Sequence, residues 1–363
     1  MKFIYWFAFY DCRSPSVRYR AKYPLESLRR QRGIDHLLVV PGYSPGRVLR
    51  FLFAYFSVLL FRKKDSIIVV QRVRSGFIYA NALKLLVKVR RKGTIYDLDD
   101  GDYLEHAPGT IYYFAAKCER VSAGSQAIME HLRTFNPRIG YVTSPVIDLG
   151  ILKKGRSPVF TVGWVGDFSG GHREGLTRQL FPALKRLDFD LRLVLIGVRN
   201  PADAGWIADQ FASSPNVELD LPTVRSWLDE RWLQKRITGF DVGIATLIDT
   251  PIQRAKSGIK AKQYLNNGVP VLSTDLRENN TVVVHGVNGY LFNSVDEVVE
   301  RLSELRSMSE NDYARISANA RASITRFDHA LYFKDLNDLI TVPPPAPLSD
   351  TAPSHTASCT DRR

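Results

Sequence analysis

The sequence contains few cysteines, and they are far apart. Only Cys12, Cys118 and Cys359 occur in 363 residues, a distribution that argues against a disulfide framework and against a cysteine-based zinc site. A reducing, cytoplasmic environment is therefore expected. The opening run MKFIYWFAFY is aromatic and lacks a small-residue cleavage site. It predicts a buried first strand rather than a secretory signal.

Long apolar runs are also missing. The most hydrophobic stretch, VLRFLFAYFSVLLF at residues 48–61, includes Arg50 and precedes Arg62, Lys63 and Lys64. It is shorter than the ~20 residues needed to cross a bilayer. Two interpretations stay open: a helix packed in the core, or a helix lying in a membrane interface with the basic residues at the headgroups.

Acidic residues are outnumbered, 37 against 50 Lys and Arg, which gives a net charge of +13. The basic residues are spread along the chain and no nucleic-acid-binding motif occurs, so nucleic acid is not an expected partner. Anionic lipid headgroups or a diphosphate substrate would suit the charge equally well. With 45% hydrophobic residues, the composition is that of a soluble globular protein.

Short β-branched runs alternate with amphipathic stretches, which predicts an α/β protein with two doubly wound parallel sheets facing a cleft. The polar segment 148–158, DLGILKKGRSP, separates a first domain (residues 1–150) from a second (151–325). A last helix within 326–341 is expected to pack back on the first domain. Residues 342–363 are predicted to be disordered. Strands are predicted at residues 3–9, 37–40, 67–70, 94–98, 121–123, 141–143, 161–165, 191–196, 217–219, 242–245 and 270–273.

The most informative segment is RAKSGIKAKQYLNNGVPVLSTD, residues 254–275. Ser257 is a good N-cap and Gly268 a good stop, which predicts a helix at residues 258–267. Lys256 would precede that helix and Lys260 would lie in its first turn, where the helix dipole disfavours a cation. A bound anion, such as a diphosphate held by both ammonium groups and the free N–H groups, would explain this placement.

This segment, with FDVGIATL before it and NNTVVVHGVNGYLF after it, resembles the donor-binding half of glycosyltransferase family 4, which has the GT-B fold. The resemblance is closest to bacterial members that assemble surface polysaccharides. It extends upstream through VGWVGDFSGGH. The first-half segments SVRYRAKYPLESL, TIYDLDDGDY and RVSAGSQAIMEHL fit the same group, so most of residues 1–330 are covered.

The resemblance implies a nucleotide-diphosphate sugar as donor, no obligatory metal or other cofactor, and retention at the anomeric carbon. Lys256 and Lys260 match the positions that hold the diphosphate. Gln263 stands where many members have the second Glu of a paired-Glu motif, which binds the ribose, and Ala255 replaces the first Glu. The other positions implied to approach the donor are Gly166, Ser169, Gly170, Asn279, Asn280 and Thr281.

Arg18 and Arg20 follow the first predicted strand at a helix start. Two guanidinium groups facing a cleft suit a phosphate, and the resemblance implies contact with the acceptor's phosphate or with the donor from across the cleft.

The acidic cluster Asp97, Asp99, Asp100 and Asp102 follows a predicted strand and has three open interpretations. It could be the Asp-x-Asp metal site of a GT-A glycosyltransferase, or the nucleophile loop of a haloacid-dehalogenase-like phosphatase displaced by one residue. In the matching GT-B group, the cluster lies on the acceptor side. There Asp100, or His106 as a second candidate, would orient or deprotonate the acceptor hydroxyl.

These features predict a cytoplasmic hexosyltransferase-type enzyme that adds a sugar to a saccharide or lipid-linked saccharide at the inner membrane face. The product would enter lipopolysaccharide, capsule or exopolysaccharide. One alternative is a nucleotide-sugar-binding or scaffold protein without turnover, which Ala255 keeps open. Another is a metal-dependent GT-A-like transferase that uses the Asp97–Asp102 cluster.

Overall fold

The computed structural model describes residues 3–341, and the predicted disordered tail lies outside them. Two six-stranded sheets make up the structure, and every strand pairing within them is parallel. One sheet is formed by residues 3–141 and the other by residues 160–292. The predicted fold class is therefore confirmed. We keep the division of the chain at residues 150 and 151 as a proposal, which this change of sheet supports.

The first sheet has the strand order β2-β1-β3-β4-β5-β6. Its strands are β1 Phe3–Ala8, β2 Asp35–Val39, β3 Ser66–Gln71, β4 Thr94–Leu98, β5 Arg120–Ala123 and β6 Ile139–Tyr141. The helices are α1 Pro15–Val17, α2 Tyr23–Arg32, α3 Pro45–Phe61, α4 Phe77–Val89, α5 Asp102–Glu105, α6 Gly109–Lys117 and α7 Gln126–Leu132, and one π-helical turn, Arg18–Lys22, joins α1 to α2.

The second sheet has the order β12-β11-β10-β7-β8-β9. Its strands are β7 Phe160–Val165, β8 Leu191–Ile196, β9 Val217–Asp220, β10 Val242–Ala245, β11 Val271–Thr274 and β12 Gly289–Phe292. The helices are α8 Gly170–Gly175, α9 Phe181–Leu184, α10 Pro201–Phe211, α11 Glu230–Ile237, α12 Pro251–Arg254, α13 Ile259–Asn266, α14 Glu278–Val282, α15 Val295–Ser307, α16 Glu310–Ala322 and α17 His329–Thr341, with a π-helical turn at Leu176–Leu180 and a 3₁₀ turn at Ser323–Phe327.

The central strands of the first sheet are covered on both faces, which is why they are apolar throughout. Helices α3, α4 and α6 pack on one face and enclose Phe7, Val70 and Tyr96. Helices α2 and α17 cover the other face. The last helix thus returns to the first sheet, and the Tyr332 hydroxyl donates to the Arg20 carbonyl at 2.9 Å.

The segment between the sheets, residues 142–159, has no regular secondary structure. Its later part is attached to the second half. Gln234 Nε2 donates to the Ile147 carbonyl at 2.6 Å, and Lys153 forms a buried ion pair with Asp241 at 2.9 Å. The predicted linker at 148–158 therefore lies against the second half at Lys153.

The strand predictions missed β12, whose GYLF sequence begins with glycine and contains no β-branched residue. Residues 48–61 form a helix, and both interpretations of it stay open. One face packs in the core, with Ala54, Tyr55 and Val58 buried, and Phe53 on the other face is 67% exposed. Within residues 3–341, no helix is both long and apolar enough to cross a membrane.

Candidate active site

The strand orders indicate where a ligand would bind. In open parallel sheets the binding crevice forms beyond the carboxyl ends of the strands, where the winding direction reverses. This point lies between β1 and β3 in the first sheet and between β7 and β10 in the second. Two adjoining cavities, of about 170 and about 710 Å³, occupy the cleft there. Both cavities are lined by Ser14, Pro15, Tyr19, His172, Ile259 and Lys260.

Helix α13 begins one residue later than predicted. Gly258, not Ser257, is the N-cap, with a left-handed φ of 64° that a glycine adopts without strain. The Ser257 side chain makes no cap bond; its carbonyl instead accepts from Lys262 Nζ at 3.0 Å. The predicted stop at Gly268 is present, with φ at 71°. The helix start still opens on the smaller cavity, which Gly258 and Ile259 line.

The two predicted anion-binding lysines meet at this helix start. Lys256 Nζ pairs with Asp100 across the cleft at 2.9 Å. Lys260 Nζ lies 3.0 Å from His172 Nε2. Burial and the charge of Lys256 lower the pKa of Lys260 to about 7, and Lys260 together with burial lowers the pKa of His172 to about 2. Lys256, Lys260 and the neutral His172 thus lie around one paired acid, Asp100, and a phosphate bound there would favour the charged form of both lysines.

The acidic cluster separates into two structural and two cleft-facing carboxylates. Asp97 pairs with buried Arg20, and Asp102 pairs with Arg72 at 2.6 Å. Asp99 and Asp100 line the smaller cavity. Within residues 3–341, no group of three or more His, Cys, Asp and Glu is arranged to hold a metal ion.

Asp99 and Asp100 have opposite electrostatic environments. Burial raises the pKa of Asp99, and its Oδ1 has no hydrogen-bond partner among residues 3–341. Burial also pushes the pKa of Asp100 upward, but Lys256 and Arg72 outweigh it and bring the pKa to about 2. Asp100 is therefore a carboxylate held by two cations.

Arg18 lines the larger cavity and Arg20 does not reach the cleft. The Arg18 guanidinium donates to the Trp227 carbonyl and lies over the Trp227 ring, with 5.6 Å to its centroid. Arg20 is fully buried, with bonds to both Asp97 oxygens and a 2.7 Å bond to the Val142 carbonyl. Its predicted phosphate contact is wrong, because these acceptors already hold the guanidinium inside the first half.

His106 is also misplaced by the sequence argument. It is exposed and follows α5, and it lines neither of the two cavities described above. The histidine that the fold brings to the cleft is His172, which sequence reasoning missed. Its position two residues after Gly170, among the residues predicted to approach the donor, was the available signal.

Gln263 lines the larger cavity at the predicted position. Its Nε2 donates to the Tyr19 hydroxyl at 2.6 Å, and Tyr19 in turn donates to Glu230 at 2.9 Å. This buried chain of bonds joins the two halves and fixes the orientation of the Gln263 amide. Ala255, by contrast, is fully buried in the core of the first half, close to Gly101.

The predicted glycine and asparagine positions differ in how near they lie to the cleft. Gly166 lines the larger cavity, and a Cβ on the neighbouring Gly197 would come within 1.7 Å of the Gly166 carbonyl oxygen. Asn279 lines the smaller cavity. Four predicted positions line neither cavity: Ser169, Gly170 and Asn280, which are exposed, and Thr281, whose hydroxyl donates to the Glu278 carbonyl.

Lys262 is a further residue that the sequence argument missed. It is fully buried, its Nζ donates to the Thr143 hydroxyl and to the Ser144 carbonyl at 3.3 Å, and burial lowers its pKa to about 7. It therefore connects α13 to the segment between the sheets. A third lysine in the KSGIKAK run was the signal that could have identified it.

Comparison with known proteins agrees with this geometry. Residues 160–307, which form most of the second half, match the model of the family described as glycosyl transferases group 1. Among curated proteins, none matches the sequence significantly.

Solved structures match nearly the whole chain. The Anabaena protein HepE in complex with UDP-glucose is 15% identical, with a TM-score of 0.63, over 93% of this chain and 98% of that one. The lipopolysaccharide outer core galactosyltransferase WaaB is 16% identical, with a TM-score of 0.59, over 93% and 99%. Sucrose-phosphate synthase from Thermosynechococcus elongatus is 10% identical, with a TM-score of 0.66, over 92% and 97%. The chain has the GT-B fold, and the family match supports a glycosyltransferase.

Proposed function

We propose that this protein transfers a sugar from a nucleotide-diphosphate sugar to a saccharide acceptor. The observation that carries the proposal is the position of Lys256 and Lys260 at the start of α13, beside the cavity shared by both halves. Two lysines and a neutral His172 surround a space with a single paired acid, Asp100. A diphosphate supplies the missing negative charge.

The difficult event in this reaction is the departure of the diphosphate, since negative charge grows on its oxygens as the glycosidic bond breaks. Preorganised cations and N–H groups stabilise that charge in the same way as an oxyanion hole. Lys256, Lys260 and the first N–H groups of α13 would supply them here, so we propose that no metal or other cofactor is obligatory. We further propose that Gln263 contacts the ribose from the larger cavity.

Asp100 is the acceptor-side group that we propose for orienting or deprotonating the acceptor hydroxyl. In the structure it is bound to Lys256 at 2.9 Å. A diphosphate that draws Lys256 away would remove one of the two cations that lower the pKa of Asp100. Donor binding would then convert Asp100 from an ion-pair partner into a stronger base.

The finer features of the proposal are a hexose as the transferred group, retention at the anomeric carbon, and a lipid-linked acceptor at the cytoplasmic face of the membrane. The sequence resemblance to family 4 supports the first two. WaaB, with its role in the lipopolysaccharide outer core, supports a place in surface-polysaccharide assembly. HepE was solved with UDP-glucose, which makes UDP the first nucleotide to test.

A nucleotide screen tests the proposal. Thermal shifts with UDP, GDP, ADP and CMP, then with their sugars, should show stabilisation by one nucleotide diphosphate, and EDTA should not remove it. The radiolabelled sugar of that nucleotide should then be transferred or hydrolysed. If none of the four nucleotides stabilised the protein, the proposal would be refuted. Binding without turnover would favour the scaffold alternative, which the replacement of an acid by Ala255 keeps in view.

A further inference from the structure

Helix α3 is apolar on two opposite sides. Its inner side packs on the first sheet through Ala54, Tyr55 and Val58. The outer side carries Leu49, Leu52, Phe53, Phe56 and Leu60, which are 40–67% exposed. Each of these outer residues has another one three or four positions away, so together they form one continuous stripe along the helix. A water-facing helix would carry polar residues there.

Helix α4 widens this surface. It begins with Phe77 and Ile78, which are 86% and 78% exposed, and Leu85 and Val89 are about half exposed further along. The Phe51 and Tyr79 rings lie 5.1 Å apart between α3 and α4, and Arg90 of the next loop donates to the Leu59 carbonyl at 2.5 Å. The exposed apolar residues of the two helices are called the α3–α4 face below.

The charge around the α3–α4 face has one sign. Residues 41–92 contain twelve Lys or Arg and one acidic residue, Asp65, a net charge of +11 against +13 for the whole chain. Arg50 and Lys88 project from the helices themselves and are exposed, and Lys63 and Lys64 follow α3. The basic residues that are spread along the sequence are thus balanced by acids almost everywhere except here.

We infer that the α3–α4 face binds the surface of an anionic lipid bilayer. An exposed apolar patch of this extent marks an interaction site, and an apolar stripe with flanking cations fits the boundary between headgroups and acyl chains. A second copy of the chain is the poorer occupant, because two surfaces of charge +11 would repel each other.

This inference deepens the proposed function, since it names the surface that would bring the enzyme to a lipid-linked acceptor. Helices α3 and α4 follow β2 and β3, so they begin at the carboxyl edge of the first sheet. Asp99 and Asp100 follow β4 at the same edge. A bilayer against the α3–α4 face would therefore place the headgroups close to the acceptor side of the cleft.

Vesicle flotation with the full chain tests the inference. Binding is expected to vesicles of equal phosphatidylglycerol and phosphatidylcholine at low salt, and to weaken at high salt or with phosphatidylcholine alone. The triple variant Leu49→Ser, Phe53→Ser and Phe56→Ser should bind about 100-fold more weakly. The matched control Val284→Ser and Val287→Ser changes apolar residues of similar exposure in the second half and should bind like the unaltered protein.

A charge variant distinguishes binding to anionic headgroups from binding through apolar contacts alone. Arg50→Gln with Lys88→Gln should weaken binding to the anionic vesicles by roughly 25-fold at low salt, without changing any residue that lines the cleft. Equal binding of this variant and of the unaltered protein would overturn the inference. So would vesicle binding that is the same for the triple variant and for the unaltered protein.

Nucleotide affinity, measured on the same preparations, keeps this test apart from that of the proposed function. Retained nucleotide binding with no flotation would overturn the membrane surface and leave the proposed transferase in place. Flotation without nucleotide binding would support the membrane surface and refute the proposed transferase. Concentration-dependent dimers in sedimentation, abolished by the triple variant, would assign the face to a second copy and would also overturn the inference.

Discussion

Lys260 holds its proton weakly, and a bound diphosphate should raise its pKa back towards the ordinary value of a lysine. Burial and the neighbouring charge of Lys256 lower its pKa to about 7. A diphosphate beside the ammonium group would offset both effects and favour the charged form. Nucleotide binding at alkaline pH should therefore take up a proton.

The size of the effect follows from the pKa. With a pKa of about 7, about a tenth of Lys260 is protonated at pH 8, so binding should take up about 0.9 proton. Only the protonated form binds well. The apparent Kd should therefore rise by about tenfold for each pH unit above 7, and should change little between pH 6 and 7 on account of this group.

Calorimetry in buffers of different ionisation enthalpy measures this proton uptake. At pH 8 the terminal phosphate, with a pKa of about 6, is already ionised and does not contribute. Lys260→Arg keeps the charge at every pH and should bind without proton uptake. Lys260→Ala should raise the Kd by roughly 10- to 150-fold, the contribution of a hydrogen bond to a charged group. No uptake by the unaltered protein at pH 8, or an unchanged Kd in Lys260→Ala, would refute the assignment.

Two further substitutions separate the acids of the cluster. Asp100→Asn removes the partner of Lys256, so nucleotide affinity should be kept or increased, while the rate of sugar transfer should fall by about 10²–10⁴-fold; an unchanged transfer rate would exclude Asp100 as the acceptor-side base. Asp97→Ala leaves the fully buried Arg20 without its carboxylate. The free energy of unfolding, measured with urea, should therefore fall by about 3–5 kcal/mol. A loss below 1 kcal/mol would show that Arg20 finds other partners or water.

The sequence predicted the fold well because its strongest pattern is periodic. Parallel strands covered on both faces must be apolar throughout, and helices between them must be amphipathic, so β4, β8 and β10 have the predicted bounds. Strand β12 was missed because its GYLF sequence begins with glycine and contains no β-branched residue. The start of α13 was shifted by one residue, since Gly258 adopts a left-handed φ that competes with Ser257 as N-cap.

The site was predicted only where position along a strand or helix is enough. Lys256 and Lys260 lie near the start of α13 whatever surrounds it, so local sequence located them. Arg18 and Arg20 are two residues apart, and the sequence treats them alike. Only the packed structure directs one towards the cavity and the other to Asp97.

The sequence by itself determined the two parallel sheets, the cleft between them and the lysine-rich helix start, because these depend on periodicity and on residues close together in the chain. The tertiary structure alone decided the rest: that Asp100 meets Lys256, that His172 and not His106 lines the cavities of the cleft, and that the outer side of α3 stays exposed. Each of these depends on contacts, or missing contacts, between segments distant in sequence, where burial and charge are set by the packing of the whole chain.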